Sequence, residues 1–91
     1  MATIEVMRQH DMGLQGARQA VEAVALRLQD DLNAHHAWSG DTLEFRCPGA
    51  EGRIDVTGSS IRVTVDLSWL LKPARGRIER SINDTLDECL A

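Results

Sequence analysis

The stretch that decides the fold is residues 42–67, TLEFRCPGAEGRIDVTGSSIRVTVDL. Apolar and polar residues alternate through three runs, and two short segments that contain glycine interrupt the alternation. The apolar positions are Leu43, Phe45, Cys47, Ile54, Val56, Ile61, Val63, Val65 and Leu67. A period of two residues sends successive side chains to opposite faces of a strand. The stretch therefore predicts an antiparallel meander with one buried and one solvated face.

Two weaker strand patterns lie on the N-terminal side of the meander. Residues 3–9 alternate around Ile4 and Val6, and residues 36–38 are typical of a short strand before the turn Ser39-Gly40-Asp41. Between them, apolar residues recur at steps of three and four, the pattern of an amphipathic helix. Its stripe consists of Leu14, Ala17, Val21, Val24, Leu28 and Leu32. Asp11 is the predicted N-cap of this helix, which should end near Asn33.

A second helical stripe occupies the C-terminal part of the chain. It comprises Leu70, Leu71, Ala74, Ile78, Ile82, Leu86 and Leu90. Since proline suits the first turn of a helix, the helix proper is expected from Pro73 to the C-terminus. The element order is then β-α-β-β-β-β-α. Both helices should cover the apolar face of a mainly antiparallel sheet, so residues 1–91 are predicted to form a single α+β domain.

Composition excludes several classes of function. Ten basic and fourteen acidic residues give a net charge of −4, which disfavours general binding of nucleic acid. No apolar run approaches the roughly 20 residues of a transmembrane segment, and the N-terminus lacks the apolar core of a secretory signal. Cys47 and Cys89 form no CxxC motif, so they are expected to be reduced thiols of a cytoplasmic protein.

Few residues are candidates for chemistry. His10 and the pair His35-His36 are the candidate metal ligands, but neighbouring residues of a strand point to opposite faces. The pair is better explained as the end of the first helix, where a cation is mildly favourable. No serine lies in an activating motif, and the glycines form no phosphate-binding loop. The sequence therefore predicts a protein that is not an enzyme and has no catalytic residue, metal site or cofactor.

The charges of the last helix run against its dipole. The cations Lys72, Arg75, Arg77 and Arg80 come first, and the acids Asp84, Asp87 and Glu88 come last. The pairs Arg75–Glu79 and Arg80–Asp84 could offset part of this mismatch. An ordinary solvated face is one interpretation. An antiparallel homodimer through this helix is another, because it would set each basic half against an acidic half.

A third interpretation concerns the residues just before the helix. Trp69, Leu70 and Leu71 followed by Lys72, Arg75, Arg77 and Arg80 would form an apolar tip with basic neighbours, suited to a lipid or other apolar surface. The competing interpretation keeps the three apolar side chains inside the fold.

The solvated sheet face carries mixed charges and is expected to be a salt-bridged surface: Glu44, Arg46, Arg53, Asp55, Arg62 and Asp66.

Taken together, the motifs resemble a bacterial family of small proteins, the polyhydroxyalkanoic acid system (granule-region) family. The matching residues are His10-x-x-Gly13-Leu14-x-x-Ala17-Arg18, Trp38-x-Gly40-Asp41-x-Leu43-x-Phe45, Gly52-x-Ile54-x-Val56, Val63-x-Val65-x-Leu67 and Leu70-Leu71-x-Pro73-x-x-Gly76-x-Ile78-Glu79. The resemblance implies a cytoplasmic accessory protein of polyester storage at the granule surface, with the granule or its proteins as partners. It implies no catalytic residues.

Two hypotheses about function follow. The first is a non-enzymatic accessory or interaction protein of the polyhydroxyalkanoate system. The second is a small-molecule-binding protein or enzyme with a pocket between the helices and the sheet. Polar residues at inward positions would favour the second hypothesis, but the positions expected to face inward are all apolar: Leu14, Val21, Val24, Phe45, Ile54, Val63, Ile78 and Ile82.

Overall fold

A computed structural model describes residues 2–90 and confirms the α+β class and the element order β-α-β-β-β-β-α. The strands are β1 (Ala2–Gln9), β2 (His35–Ser39), β3 (Thr42–Cys47), β4 (Ala50–Val56) and β5 (Ser60–Leu67). The helices are α1 (Gly13–Leu32) and α2 (Arg75–Leu90), and a 3₁₀ turn, Lys72–Ala74, precedes α2.

The five strands form one antiparallel sheet in the order β1-β5-β4-β3-β2. Strands β2 to β5 follow one another as hairpins, so the predicted meander is confirmed and extended by one strand. The first strand, β1, pairs with β5, from Ala2 opposite Leu67 to Gln9 opposite Ser60. Strands β1 and β2 are therefore the two edges of the sheet.

Both helices cover the same face of the sheet, as expected. Helix α1 packs over the central strands, and α2 packs over β1 and against α1. Seven of the positions predicted to face inward are buried: Val21, Val24, Phe45, Ile54, Val63, Ile78 and Ile82. The prediction for Leu14 is wrong, because α1 makes its first buried contact only at Ala17 and Leu14 is 37% exposed.

The helix ends differ in part from the sequence prediction. Asp11 is not the N-cap, because Met12 takes that position and its N–H donates to Nδ1 of His10 at 3.2 Å. The predicted C-terminal end is confirmed, since Asn33 adopts a left-handed conformation and its N–H donates to the Gln29 carbonyl. Helix α2 begins two residues later than expected, because Pro73 lies in the 3₁₀ turn.

Gly52 occupies an inward-facing position of β4, opposite Phe45 on β3 and Val65 on β5. A Cβ atom at this position would collide with the carbonyl oxygen of Thr64 and lie 2.8 Å from Cζ of Phe45. The missing side chain therefore provides the space that the Phe45 ring occupies.

Candidate interaction surface

The loop that connects β5 to the 3₁₀ turn, residues 68–71, presents apolar side chains to solvent. Trp69 is 82% exposed and Leu70 is 55% exposed. Backbone hydrogen bonds hold the loop in place, since the Ser68 N–H donates to the Gly49 carbonyl and the Leu71 N–H donates to the Ser68 carbonyl. The expectation that all three apolar side chains close the core is therefore wrong for Trp69 and Leu70.

Leu71 is the residue that anchors this loop to the fold. Its side chain is half-buried and packs against the core cluster. Gly49, in the turn between β3 and β4, has a positive φ of 91° and lies directly below it, because a Cβ atom there would approach Cγ of Leu71 to 2.9 Å. With Leu71 turned inward and the backbone bonded to Gly49, the two residues before it are directed outward.

The four predicted cations are exposed, but they do not all surround the loop. Lys72 and Arg75 lie beside it, and Nη2 of Arg75 is 3.4 Å from the Thr3 carbonyl oxygen. Arg77 lines a groove between the end of α1 and the start of α2, together with the acids Asp30 and Asp31. The basic part of the candidate surface is therefore concentrated at Lys72 and Arg75.

Arg80 is the most distant of the four cations. It stands five residues beyond Arg75, about 7.5 Å further along the helix axis. Within residues 2–90, neither of the expected helix pairs forms an ion pair: Arg75 contacts Thr3 rather than Glu79, and Arg80 does not reach Asp84. The charges of Arg75 and Arg80 are thus not neutralised by an ion pair among the described residues.

The acidic end of α2 has a partner that sequence reasoning missed. Nη1 of Arg8, on β1, lies 2.6 Å from Oδ1 of Asp87, and Nη2 donates to Oδ1 of Asn83 at 2.9 Å. Arg8 has the same strand parity as Ile4 and Val6 and therefore points to the inner face. This strand parity could have predicted that the Arg8 guanidinium faces inward and needs a hydrogen-bond acceptor there.

A second cluster joins α1 to the β2–β3 hairpin. The guanidinium of Arg18 lies 4.1 Å from the centroid of the Trp38 ring and donates to the Gly40 carbonyl and to Asp41 at 2.9 and 3.0 Å. The Trp38 indole N–H donates to Glu22 at 3.3 Å. The hairpin residues that Arg18 contacts are those that open the motif beginning at Trp38: Trp38, Gly40 and Asp41. These contacts fix a helix on a hairpin, which is a structural role.

The three histidines do not converge. His35 is exposed on the outer face of β2, whereas Nε2 of His36 lies 3.7 Å from a Glu22 oxygen on the inner side. Both belong to β2, so their interpretation as a helix end is wrong: Asn33 has already terminated α1. His10 contacts the Thr57 carbonyl at the other end of the sheet. Across residues 2–90, no group of three His, Cys, Asp or Glu side chains could hold a metal ion.

The outer face of the sheet carries the mixed charges that were predicted. Arg46 lies 3.9 Å from Glu51, and Arg53 lies 3.8 Å from Asp55, in exposed contacts at the long end of the ion-pair range. Such pairs contribute little to stability, roughly 0–1 kcal/mol each. This face is a solvated surface rather than an assembled site.

The layer between the helices and the sheet offers little to a ligand. Apart from Thr85, the residues buried in the described part of the chain are apolar. The Thr85 hydroxyl already donates to the Ser81 carbonyl at 2.9 Å. One surface depression lies on the outer sheet face near Arg46 and Glu51, and another lies between the helix ends. Among the described residues, the layer between the helices and the sheet therefore offers no free polar side chain to the pocket of the second hypothesis.

Fold and surface define a small α+β protein with two helices on one sheet face and an exposed apolar loop beside a basic helix start. The chain belongs to the family described as "Putative polyhydroxyalkanoic acid system protein (PHA_gran_rgn)", whose model matches residues 4–90. No curated protein matches the chain, and no solved structure does. Among the residues described, no helix is long and apolar enough to cross a membrane.

Proposed function

We propose that this chain is a non-enzymatic accessory protein of the polyhydroxyalkanoate system that attaches to the surface of the storage granule through Trp69 and Leu70. The observation that carries this proposal is the exposure of these two neighbouring apolar side chains, 82% and 55%, on a loop held by backbone hydrogen bonds. Lys72 and Arg75 stand beside them as the charged part of the same surface.

The expected strength of attachment follows from the side chains involved. Transfer of a large apolar side chain out of water contributes about 1.5–3 kcal/mol. Each cation adds about 1 kcal/mol, but only where the granule coat contains anionic phospholipid. Two apolar anchors and two nearby cations therefore support weak, reversible attachment rather than permanent anchoring.

The non-enzymatic part of the proposal rests on how the reactive side chains are used. Burial raises the pKa of the Cys47 thiol, although a backbone hydrogen bond with Ala50 partly opposes this, and a raised pKa disfavours a nucleophilic thiolate. His36 faces Glu22, and Ser81 donates to Asp31 at 3.1 Å. The Cys47 thiol is thus buried, and the side chains of His36 and Ser81 each contact an acidic residue of the fold.

Cosedimentation with isolated granules and with anionic phospholipid vesicles tests the attachment. Trp69→Ser/Leu70→Ser should lose most of the bound fraction. Met7→Ser and Leu26→Ser are matched controls, since they remove exposed apolar side chains from β1 and α1. Equal binding by the loop variant and both controls would overturn the proposed surface.

A pull-down from cells that make granules should recover granule proteins above unrelated proteins.

Fluorescence provides an independent readout in a Trp38→Phe background, where Trp69 is the remaining tryptophan. The free protein should emit at long wavelength and be open to an aqueous quencher, because the indole is exposed. Granules should shift the emission to the blue and reduce quenching. Unchanged emission and quenching at saturating granule concentration would contradict the insertion of Trp69.

A further inference from the structure

Strand β1 lies at one edge of the sheet, and along its outer side no strand of residues 2–90 pairs with it. Its eight residues contain no proline or glycine, and they pair with β5 without interruption. The N–H of His10 donates to the Ser59 carbonyl, which assigns even-numbered residues to the ladder with β5. The Thr3 carbonyl instead accepts from Arg75, so odd-numbered residues face away from β5.

The amide and carbonyl groups of Glu5 and Met7 consequently point to the open edge, where no strand of the described chain pairs with them. Proteins usually protect such an edge by proline, a bulge, lysine or a covering element. Strand β1 has none of the first three, its inward-pointing charge Arg8 is already paired with Asp87, and α2 packs over its inner face. Among the described residues, the side chain that reaches the open edge itself is Arg75 at the Thr3 carbonyl. The edge is a regular template for another strand.

Helix α2 runs alongside this edge in a fixed register. Its first residue, Arg75, reaches Thr3, and its last turns reach Arg8 through Asn83 and Asp87. Five strand residues span about 16 Å and ten helical residues about 15 Å, so strand and helix advance together. Val6, next to the midpoint of β1, therefore lies level with Ser81, near the middle of α2.

We propose that two copies of this chain pair antiparallel along β1, about a two-fold axis at Val6, into a continuous ten-stranded sheet. This register sets Glu5 opposite Met7 of the second copy, and Thr3 opposite Gln9. A register centred one residue earlier would place the two Glu5 carboxylates opposite each other, which like-charge repulsion disfavours. The partner is a second copy because the charge pattern of α2 is self-complementary.

The same axis is level with Ser81 along α2 and sets the two α2 helices antiparallel on the same face of the joined sheet. Arg75 then lies near Asp87 of the second copy, and Arg80 lies near Asp84 of that copy. Each basic half meets an acidic half, as an isologous contact requires. The interface uses Arg75 but neither Trp69 nor Leu70, so the apolar part of the proposed attachment surface takes no part in the dimer contact.

Sedimentation equilibrium of the full chain tests this interface. Glu5→Pro removes an N–H that faces the open edge and leaves the ladder with β5 intact. It should raise the dimer Kd by at least about tenfold, whereas Glu5→Ala keeps the N–H and should leave the Kd within about threefold. The wild-type Kd should also rise with salt, because the α2 charges are screened.

Amide hydrogen exchange of the wild type covers the case in which Glu5→Pro fails to fold. The Glu5 and Met7 amides should exchange freely when the chain is dilute and become protected by about tenfold or more as the dimer forms. A chain that remains monomeric at millimolar concentration would overturn the proposal. So would a dimer in which these two amides stay unprotected, or one that persists unchanged in folded Glu5→Pro.

Discussion

Arg8 and Asp87 join the first strand to the last helix across 79 positions of sequence, with Nη1 and Oδ1 2.6 Å apart. The same guanidinium donates to Asn83, so one side chain holds two successive turns of α2. An acidic residue near a helix C-terminus is unfavourable towards the helix dipole. The cation from β1 offsets that cost, which explains part of the reversed charge order of α2.

Arg8→Ala should destabilise the protein by about 1 kcal/mol, since it removes an ion pair and a hydrogen bond that are partly exposed to solvent. Urea unfolding measures this loss as a lower midpoint with an unchanged m-value. Arg62→Ala is the matched control, because Arg62 is exposed on the outer face of β5 and forms no ion pair within residues 2–90. Equal midpoints for the two variants would show that the Arg8 contacts do not stabilise the fold.

Gly52→Ala and Gly76→Ala should change stability in opposite directions. At Gly52 the new Cβ would meet the Thr64 carbonyl and the Phe45 ring, and overpacking of this kind costs about 1–3 kcal/mol. Gly76 lies in the first turn of α2 with open space around its Cβ position, so alanine there should add about 0.4–1 kcal/mol. Thermal unfolding of both variants decides the signs. A stabilised Gly52→Ala would contradict the close approach of Phe45.

The spacing of apolar residues predicted most of the fold, because a helix or strand that is buried on one face has apolar residues at its own structural period. It predicted the meander, the stripe of α1 and the arrangement of both helices on one face. The pairing of β1 with β5 could not be predicted, since the short alternation around Ile4 and Val6 contains no information about its partner. That pairing depends on long-range contacts of the whole sheet with its helices.

The candidate surface was predicted by residue but not by orientation. Leu70 and Leu71 both fit the apolar stripe of the last helix, yet the 3₁₀ turn at Lys72–Ala74 breaks the helical phase, and only Leu71 turns inward. The contact of Arg18 with Trp38 was also missed. It joins two residues that lie 20 positions apart in different elements, and cross-element contacts have no periodic signature.

Val24→Asp should destabilise the protein by several kcal/mol, because it places an unpaired carboxylate in the core or forces local unfolding. Leu26→Asp is a matched control on the same helix, since Val24 is 1% exposed and Leu26 is 50% exposed. The control should stay within about 0.5 kcal/mol of the wild type. Circular dichroism melts of the two variants provide the comparison. Equal melting temperatures would mean that α1 does not pack through its Val24 face.

The two cysteines should react with a thiol reagent at very different rates. Cys47 is buried and Cys89 is half-buried, and neither is in a disulfide. Burial raises the pKa of Cys47 above the ordinary value of 9.0, so its thiolate is scarce near neutral pH. In the native protein Cys89 should be labelled first. Cys47 labelling should be slow at neutral pH and should accelerate as the pH rises or when urea unfolds the chain.

Mass spectrometry of Cys89→Ser isolates the Cys47 reaction. This variant should remain almost unlabelled under conditions that label the wild type once, and it should become fully labelled in urea. The folded state favours the neutral thiol, so the contribution of Cys47 to stability is present at neutral pH and is lost as pH rises past 9.0. Labelling of native Cys89→Ser at the rate seen in urea would contradict the burial of Cys47 beneath the turn that supports the Trp69 loop.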